Sequence, residues 1–245
     1  MMKEKEKVIN DLVYYDSMKV VQNKNYFNFS LDSVLLPNFV EITPNTKMIL
    51  DMCTGNAPIP LILSTKTNAK IIGVEIQKDI YDLAVESVKI NKKNNIELIN
   101  DDVKNLSKRY NTDTFDIITC NPPYFKYEEN SIINENDVKA IARHEILINL
   151  EDIILISKKL LKNGGSINIV HRTDRLIDII ELMKKNNIEP KRIQLVYPKE
   201  NTNSNIVLIE GRKNGKTGLK ILKPLIIHNE DGSYRDEIIK LFGSD

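Results

Sequence analysis

Residues 121–124 read Asn-Pro-Pro-Tyr and follow the mostly apolar run Phe115-Asp116-Ile117-Ile118-Thr119-Cys120. The order places a side-chain amide, two proline rings and a phenol just beyond a buried strand. The Asn121 amide oxygen and the Pro122 carbonyl are then two acceptors in one rigid segment, because residues before proline avoid the helical region and proline fixes its own φ. Two acceptors on one planar NH2 group draw its lone pair out of conjugation, which an exocyclic amine needs before it can act as a nucleophile. Tyr124 adds a ring for stacking, worth ~1–3 kcal/mol per base. The chemistry predicted is transfer of an activated methyl group to such a nitrogen, with Asn121, Pro122 and Tyr124 as catalytic residues. The plain alternative is a strand-ending turn with a packed tyrosine.

A donor needs a site on the same edge. Asp51-Met52-Cys53-Thr54-Gly55-Asn56-Ala57 follows an apolar run and opens a helix, where open α/β sheets bind ligands. A dinucleotide fingerprint requires three glycines around a pyrophosphate, whereas here Gly55 stands alone and Pro58 and Pro60 stiffen the helix start. That argues against NAD and against a P-loop, and fits a ligand without phosphate, S-adenosylmethionine. Asp51 and Gly55 are the first candidates for holding it. Glu75 closes Gly73-Val74-Glu75 about twenty residues further on, where a carboxylate accepts from a ribose diol; it could equally cap the next helix. Asp101-Asp102 ends the next strand, and Asp102, with Asp101 as its substitute, would accept from the adenine amine.

These residues need a parallel sheet to align them. Strands are predicted at 48–52, 70–75, 96–100, 115–120, 166–170, 192–197 and 205–210. Amphipathic helices lie between them at 79–93, at 150–161 with Gly164-Gly165 as its stop, and at 173–187. Strands alternating with helices are the pattern of βαβ units, hence an α/β doubly wound fold. Residues 1–47 precede the sheet as an extension covering the cofactor: a hairpin within 10–28 around Asn23-Lys24-Asn25, then a helix over 32–40. The catalytic unit spans 48–222, and 223–245 append a strand and a short helix around an Asp231-Gly232 turn, all within a single domain.

Composition limits the alternatives. A chain of 245 residues can bury one full core. No window approaches the ~18 apolar residues of a membrane span and the start is a charged run, so a soluble, cytoplasmic protein with no membrane partner is expected. Cys53 and Cys120 are the two cysteines, far apart and without ligand spacing, which predicts strand-end thiols rather than a disulfide framework or a metal site. The net charge is +1, but residues 184–223 carry ten Lys or Arg against three Glu, either a basic face for nucleic acid or a solvated one.

Taken together, the sequence resembles the class I S-adenosylmethionine-dependent methyltransferases, and most closely the bacterial tRNA1(Val) (adenine37-N6)-methyltransferase family. The resemblance covers nearly the whole chain. It is carried by residues 29–36 (Phe-Ser-Leu-Asp-Ser-Val-Leu-Leu), 51–60, 73–77 and 121–125. It continues through Ala142-Arg143-His144-Glu145, Val170-His171-Arg172, Arg175-Leu176, residues 189–192 and 196–199. It implies a seven-stranded Rossmann-like sheet, mostly parallel with an antiparallel last strand, S-adenosylmethionine as donor, and adenine 37 of a tRNA anticodon loop as target. Asp32 would lie over the methionine end of the donor, and Asn121 would also touch it. Pro123, Phe125, Arg143, His144 and Arg172 would meet the substrate, with His171 a further candidate for phosphate. His144 reads equally as a structural histidine, and Arg172 as the partner of an acidic helix. Ala57 departs from the expected Gly-Asn-Gly, which puts donor affinity in question. Three readings follow: the tRNA enzyme; a methyltransferase for another planar NH2 (an rRNA or DNA base, or a protein glutamine); or a donor-binding RNA module without turnover. An unpaired loop adenine suits the first, since splaying it out costs little.

Overall fold

The computed structural model describes residues 7–12, 18–23, 30–122 and 148–243. In chain order these form β1 (Lys7–Asp11), β2 (Lys19–Asn23), α1 (Asp32–Phe39), β3 (Met48–Met52), α2 (Pro58–Lys66), β4 (Lys70–Glu75), α3 (Lys78–Ile90) and β5 (Ile96–Asn100). Next come a 3-10 turn (Val103–Asn105), α4 (Leu106–Arg109), β6 (Phe115–Cys120), α5 (Leu150–Leu160) and β7 (Leu161–Arg172). A second 3-10 turn (Thr173–Arg175) leads to α6 (Leu176–Lys185), β8 (Ile188–Tyr197), β9 (Ile206–Lys213), β10 (Lys220–Ile221), β11 (Leu225–Ile226) and α7 (Asp236–Leu241).

The main sheet has the order β10-β8-β9-β7-β6-β3-β4-β5, with β11 also on the outer edge of β8. β3 through β7 are mutually parallel, and β9 runs antiparallel between β7 and β8. This is the doubly wound, mostly parallel fold with an antiparallel last strand expected above, widened by two two-residue strands at one edge. Because parallel strands are covered on both faces, their side chains are apolar in both directions. Leu50, Ile72, Ile118, Ile167 and Ile169 pack with Ile153 and Ile154 of α5 and Ile179 and Met183 of α6. Ile49, Ile71, Ile117, Val170 and Leu208 face the other way, against Leu35 and Leu36 of α1, Leu61 and Ile62 of α2, and Val20 of β2.

One row interrupts the second face. Asp51, Thr119, Asn168, Glu210 and Arg192 are successive cross-strand partners from β3 through β6, β7 and β9 to β8. Asp51, Thr119, Asn168 and Glu210 are buried. Thr119 Oγ1 donates to Asp51 Oδ1 at 2.6 Å. Arg192 pairs with Glu210, donates to the Phe39 carbonyl at 2.9 Å and lies 4.5 Å from the Phe39 ring centroid.

Two expectations need correction. The N-terminal hairpin pairs Lys7 with Asn23 and Asp11 with Lys19, so its connection lies between residues 12 and 18 and Asn23 ends its second strand. The consecutive valines Val20 and Val21, both buried, set that register by docking on the domain. Gly164-Gly165 lies inside β7 rather than stopping the preceding helix, which ends at Leu160 as Leu161 turns extended. The C-terminal segment adds one short strand, β11, and the helix α7, as its sequence suggests, with β10 falling just before residue 223.

Candidate active site

The carboxyl ends of β3, β4, β5 and β6 lie side by side, and the residues just beyond them make the candidate site. The β3 loop is strained. Cys53, Gly55 and Ala57 all adopt positive φ, at 58°, 57° and 69°. Alternating left-handed residues coil the chain tightly enough for the Ala57 amide to donate to the Thr54 carbonyl at 3.0 Å before α2 begins. Gly55 faces open space, since a Cβ there would meet nothing within 4 Å. Gly73 lies beneath the loop, where a Cβ would stand 2.9 Å from Thr54 Oγ1 and 2.8 Å from Leu98. Its absence lets the loop settle on the sheet.

Asp51 is fully buried and accepts from Thr54 and Thr119, both at 2.6 Å. Burial pushes its carboxyl up to about 7, against the pull of the two hydroxyls and with a smaller push from Glu75. Asp51 therefore holds the loop from below. Glu75 is 5% exposed and accepts from the backbone amides of Gly55 at 3.0 Å and Gln77 at 2.9 Å, one on each oxygen. Burial raises its pKa while those amides lower it. The Gln77 side chain and the Ile76 amide also bond this carboxylate, so it already ties the β3 loop to the start of α3.

Asp102 caps the first 3-10 turn, its Oδ1 accepting from Lys104 N at 2.9 Å. Asp101 accepts from Asn105 Nδ2 at 2.9 Å and from Asp102 N at 2.8 Å, and the Asn105 contact leads in lowering its pKa. Asp101 is thus committed to its own turn. Asn121 and Pro122 extend from β6, with Pro122 buried. Asn121 Nδ2 donates to Ser33 Oγ of α1 at 3.3 Å, and Ser33 and Asp32 are both buried at the start of that helix. α1 therefore brings Asp32 to the β6 end of the site.

The structure joins Asp32, Asp51, Gly55, Glu75, Asp102, Asn121 and Pro122 along one edge. Pro123, Tyr124, Phe125, Arg143 and His144 lie outside the described residues. Arg172 ends β7 on the same edge, exposed, 3.6 Å from Asp174, in keeping with its acidic-partner alternative. His171 is not a phosphate contact: it is 2% exposed, its Nδ1 accepts from Arg172 N at 2.8 Å, and burial, aided by Arg175, lowers its pKa to about 4. Nor is the 184–223 segment one free basic face. Lys184 pairs with Glu189, Lys185 with Glu151, Arg192 and Arg212 with Glu210, and Lys213 with Asp113.

Residue types alone did not point to three supports. Ser33 orients Asn121; Asn56 Nδ2 donates to the Val21 carbonyl at 3.1 Å; Asn100 Nδ2 donates to the carbonyls of Glu75 and Ile76 at 2.8 and 3.1 Å. The hairpin is further tied to α3 by Val21 N on Ser87 Oγ at 2.9 Å and Asn91 Nδ2 on the Lys19 carbonyl at 2.6 Å. The one available signal was position, since Asn56 lies in the loop after β3 and Asn100 ends β5, where a short amide can bridge neighbouring segments.

A profile described as a methyltransferase domain matches residues 43–219. A tRNA1(Val) (adenine(37)-N6)-methyltransferase of Cytophaga hutchinsonii is 27% identical over 197 residues, covering 78% of this chain and 79% of its own. A release factor glutamine methyltransferase of Aliivibrio fischeri is 33% identical over 138 residues, covering 53% of this chain and 47% of its own. The crystal structure of a predicted O-methyltransferase from Agrobacterium tumefaciens superimposes with a TM-score of 0.69 at 17% identity, covering 86% of this chain and 95% of that one, which speaks for the fold alone. With the profile spanning most of the sheet and both strand-end loops, the chain belongs to the methyltransferase-domain family, the class I enzymes that use S-adenosylmethionine.

Proposed function

We propose that the protein methylates N6 of an adenine in tRNA, at position 37 beside the anticodon, in the cytoplasm. The observation that carries this is Asn121, leaving β6 beside the donor-side loops with its amide nitrogen turned to Ser33. That contact directs the amide oxygen away from Ser33, as a double acceptor with the Pro122 carbonyl requires. The relatives' shared description as tRNA1(Val) adenine-37 enzymes supports the substrate.

The residues fit the donor. The open space before Gly55 admits a ligand against the backbone, and the buried Glu75 carboxylate stands beside it, bonded to the Gly55 amide. In this reading Glu75 holds the ribose, Asp102 the adenine amine, and Asp32 closes over the methionine end, with residues 1–47 as the cover. Asp51 acts beneath the loop, through Thr54. S-adenosylmethionine supplies a methyl already activated on a sulfonium, so the protein's work is alignment. Asn121 and Pro122 take the two N–H bonds of the target amine, Tyr124 and Phe125 line the base, and Pro123, Arg143, His144 and Arg172 meet the rest of the RNA. Positioning of this kind lowers barriers without acid–base catalysis.

Mass spectrometry of tRNA nucleosides from cells lacking the protein tests the assignment. Loss of N6-methyladenosine is expected, and an unchanged level would overturn the tRNA substrate. A glutamine amide is also a planar NH2, and the similarity to the release factor enzyme favours it as a second reading. Methyl transfer to a release factor, with none to tRNA, would select it.

A further inference from the structure

Cys53 and Cys120 are the only cysteines of the sequence, separated by 67 positions, and the fold brings them together. Cys120 ends β6 in register with Met52 of β3, and Cys53 follows Met52. Cys53 packs against the apolar cluster that contains Cys120, and the two thiols share a hydrogen bond. Met52 and Cys120 stand opposite each other on strands about 4.8 Å apart, and Cys53 is the next residue, which makes the two cysteines diagonal neighbours across the strand pair. Cys53 is partly exposed and Cys120 is buried. Neither thiol has a part in the methyl transfer derived above. A metal would need further ligands, and among the described residues no group of three His, Cys, Asp or Glu is arranged to hold one.

We propose that Cys53 and Cys120 are a redox-active dithiol that hydrogen peroxide closes to a disulfide, tying the donor loop to the strand that ends in Asn121 and weakening donor binding. Cys53 reacts first because solvent reaches it. Its thiolate sulfur attacks one peroxide oxygen, the O–O bond breaks, and the departing hydroxide takes a proton to leave as water, giving Cys53 sulfenic acid. The Cys120 sulfur then attacks the sulfenic sulfur; the S–S bond forms, the S–O bond breaks, and hydroxide leaves with the Cys120 proton as a second water. Two thiols lose two electrons and one peroxide gains them. Burial, then the neighbouring Cys53, raise the Cys120 thiol well above its usual range, so Cys120 is the less reactive of the two and acts second.

The test uses the full-length protein, reduced and then exposed to hydrogen peroxide. Non-reducing peptide mapping is expected to show a Cys53–Cys120 cross-link, with an intact mass lighter by two hydrogens. Calorimetric affinity for S-adenosylmethionine is expected to fall by about tenfold and to recover on addition of a dithiol reductant. Cys53→Ser should bind the donor in the reduced state and ignore peroxide. Oxidation of Cys53 to sulfinic acid without a cross-link, or a cross-link that leaves donor affinity unchanged, overturns the proposal. The affinity arm rests on the donor reading and the mapping does not. If reduced protein fails to bind the donor at all, that reading fails and the dithiol stands or falls on the cross-link.

Discussion

At Asn121 the amide nitrogen is held by Ser33, and the proposed reaction gives the oxygen at its other end to the substrate amine. Asn121→Ala is therefore expected to abolish methyl transfer while leaving calorimetric donor affinity within a few-fold; equal loss of both would sink its role. Ser33→Ala leaves every reacting group in place and only loosens the amide, so kcat should drop by about one to two orders of magnitude, the usual effect of slight misplacement. An unchanged kcat would remove Ser33 from the account. Asn121 was legible because Asn-Pro-Pro-Tyr carries its chemistry in consecutive residues. Ser33 was not, since its partner lies 88 positions away and a serine in a helix start has many ordinary uses. Ala57 presents the opposite case. It is fully buried, so the cost of its left-handed backbone falls on the loop rather than on the open crevice. Such a conformation costs an L-residue roughly 1–2 kcal/mol, partly offset by glycine's greater entropy loss. Ala57→Gly should raise the melting temperature by about 2–4 °C, the shift expected for ~1 kcal/mol in a chain of this size.

Elements were read most accurately where apolar runs met a chemical reason to stop. The ends of β3, β4, β5 and β6 coincide with the predicted strands because each closes on a polar residue or a tight turn that leaves the sheet. The hairpin was misplaced for a physical reason. Asn23-Lys24-Asn25 has the composition of a turn, but docking of Val20 and Val21 and the hydrogen bonds to Ser87, Asn91 and Asn56 extend β2 through Asn23. Tertiary contacts overrode local propensity there. The same logic places a prediction on Gly73. Gly73→Ala pushes a methyl into Thr54 Oγ1 and Leu98, lifting the loop from Asp51. Donor affinity should fall by about tenfold or more, while Gly232→Ala, in an exposed turn with open space, should leave it untouched. Equal affinities for wild type and Gly73→Ala would show that the loop does not depend on that close approach.

Across the whole molecule, two buried groups shift stability with pH in opposite senses. Folding favours the protonated form of Asp51, whose carboxyl moves from 3.8 to about 7, so its contribution is complete at low pH and is lost as pH rises through about 7. Folding favours neutral His171, lowered from 6.5 to about 4, so its contribution is present above pH 6.5 and is lost as pH falls toward about 4. Urea midpoints followed against pH should show Asp51→Asn gaining on wild type as pH climbs from about 4 to 7, and His171→Asn gaining as pH falls from 6.5 to 4. Either slope reversed would contradict the burial argument.

The polar row of Asp51, Thr119, Asn168, Glu210 and Arg192 bears on how the sheet finds its alignment. Apolar strands slide past one another at little cost, since one branched side chain replaces the next. Here a slip of β9 by a single residue would turn Glu210 to the opposite face and leave Arg192, beside Phe39, with only the more exposed Glu41 as a partner. Breaking a buried ion pair in this way costs about 3–5 kcal/mol, whereas a matched apolar pair in its place would be close to neutral in the correct alignment. The row therefore works as a vernier. It adds little to the depth of the native state and penalises the near misses, so that the strand ends carrying Asp51 and Asn121 arrive level with each other whenever the chain folds.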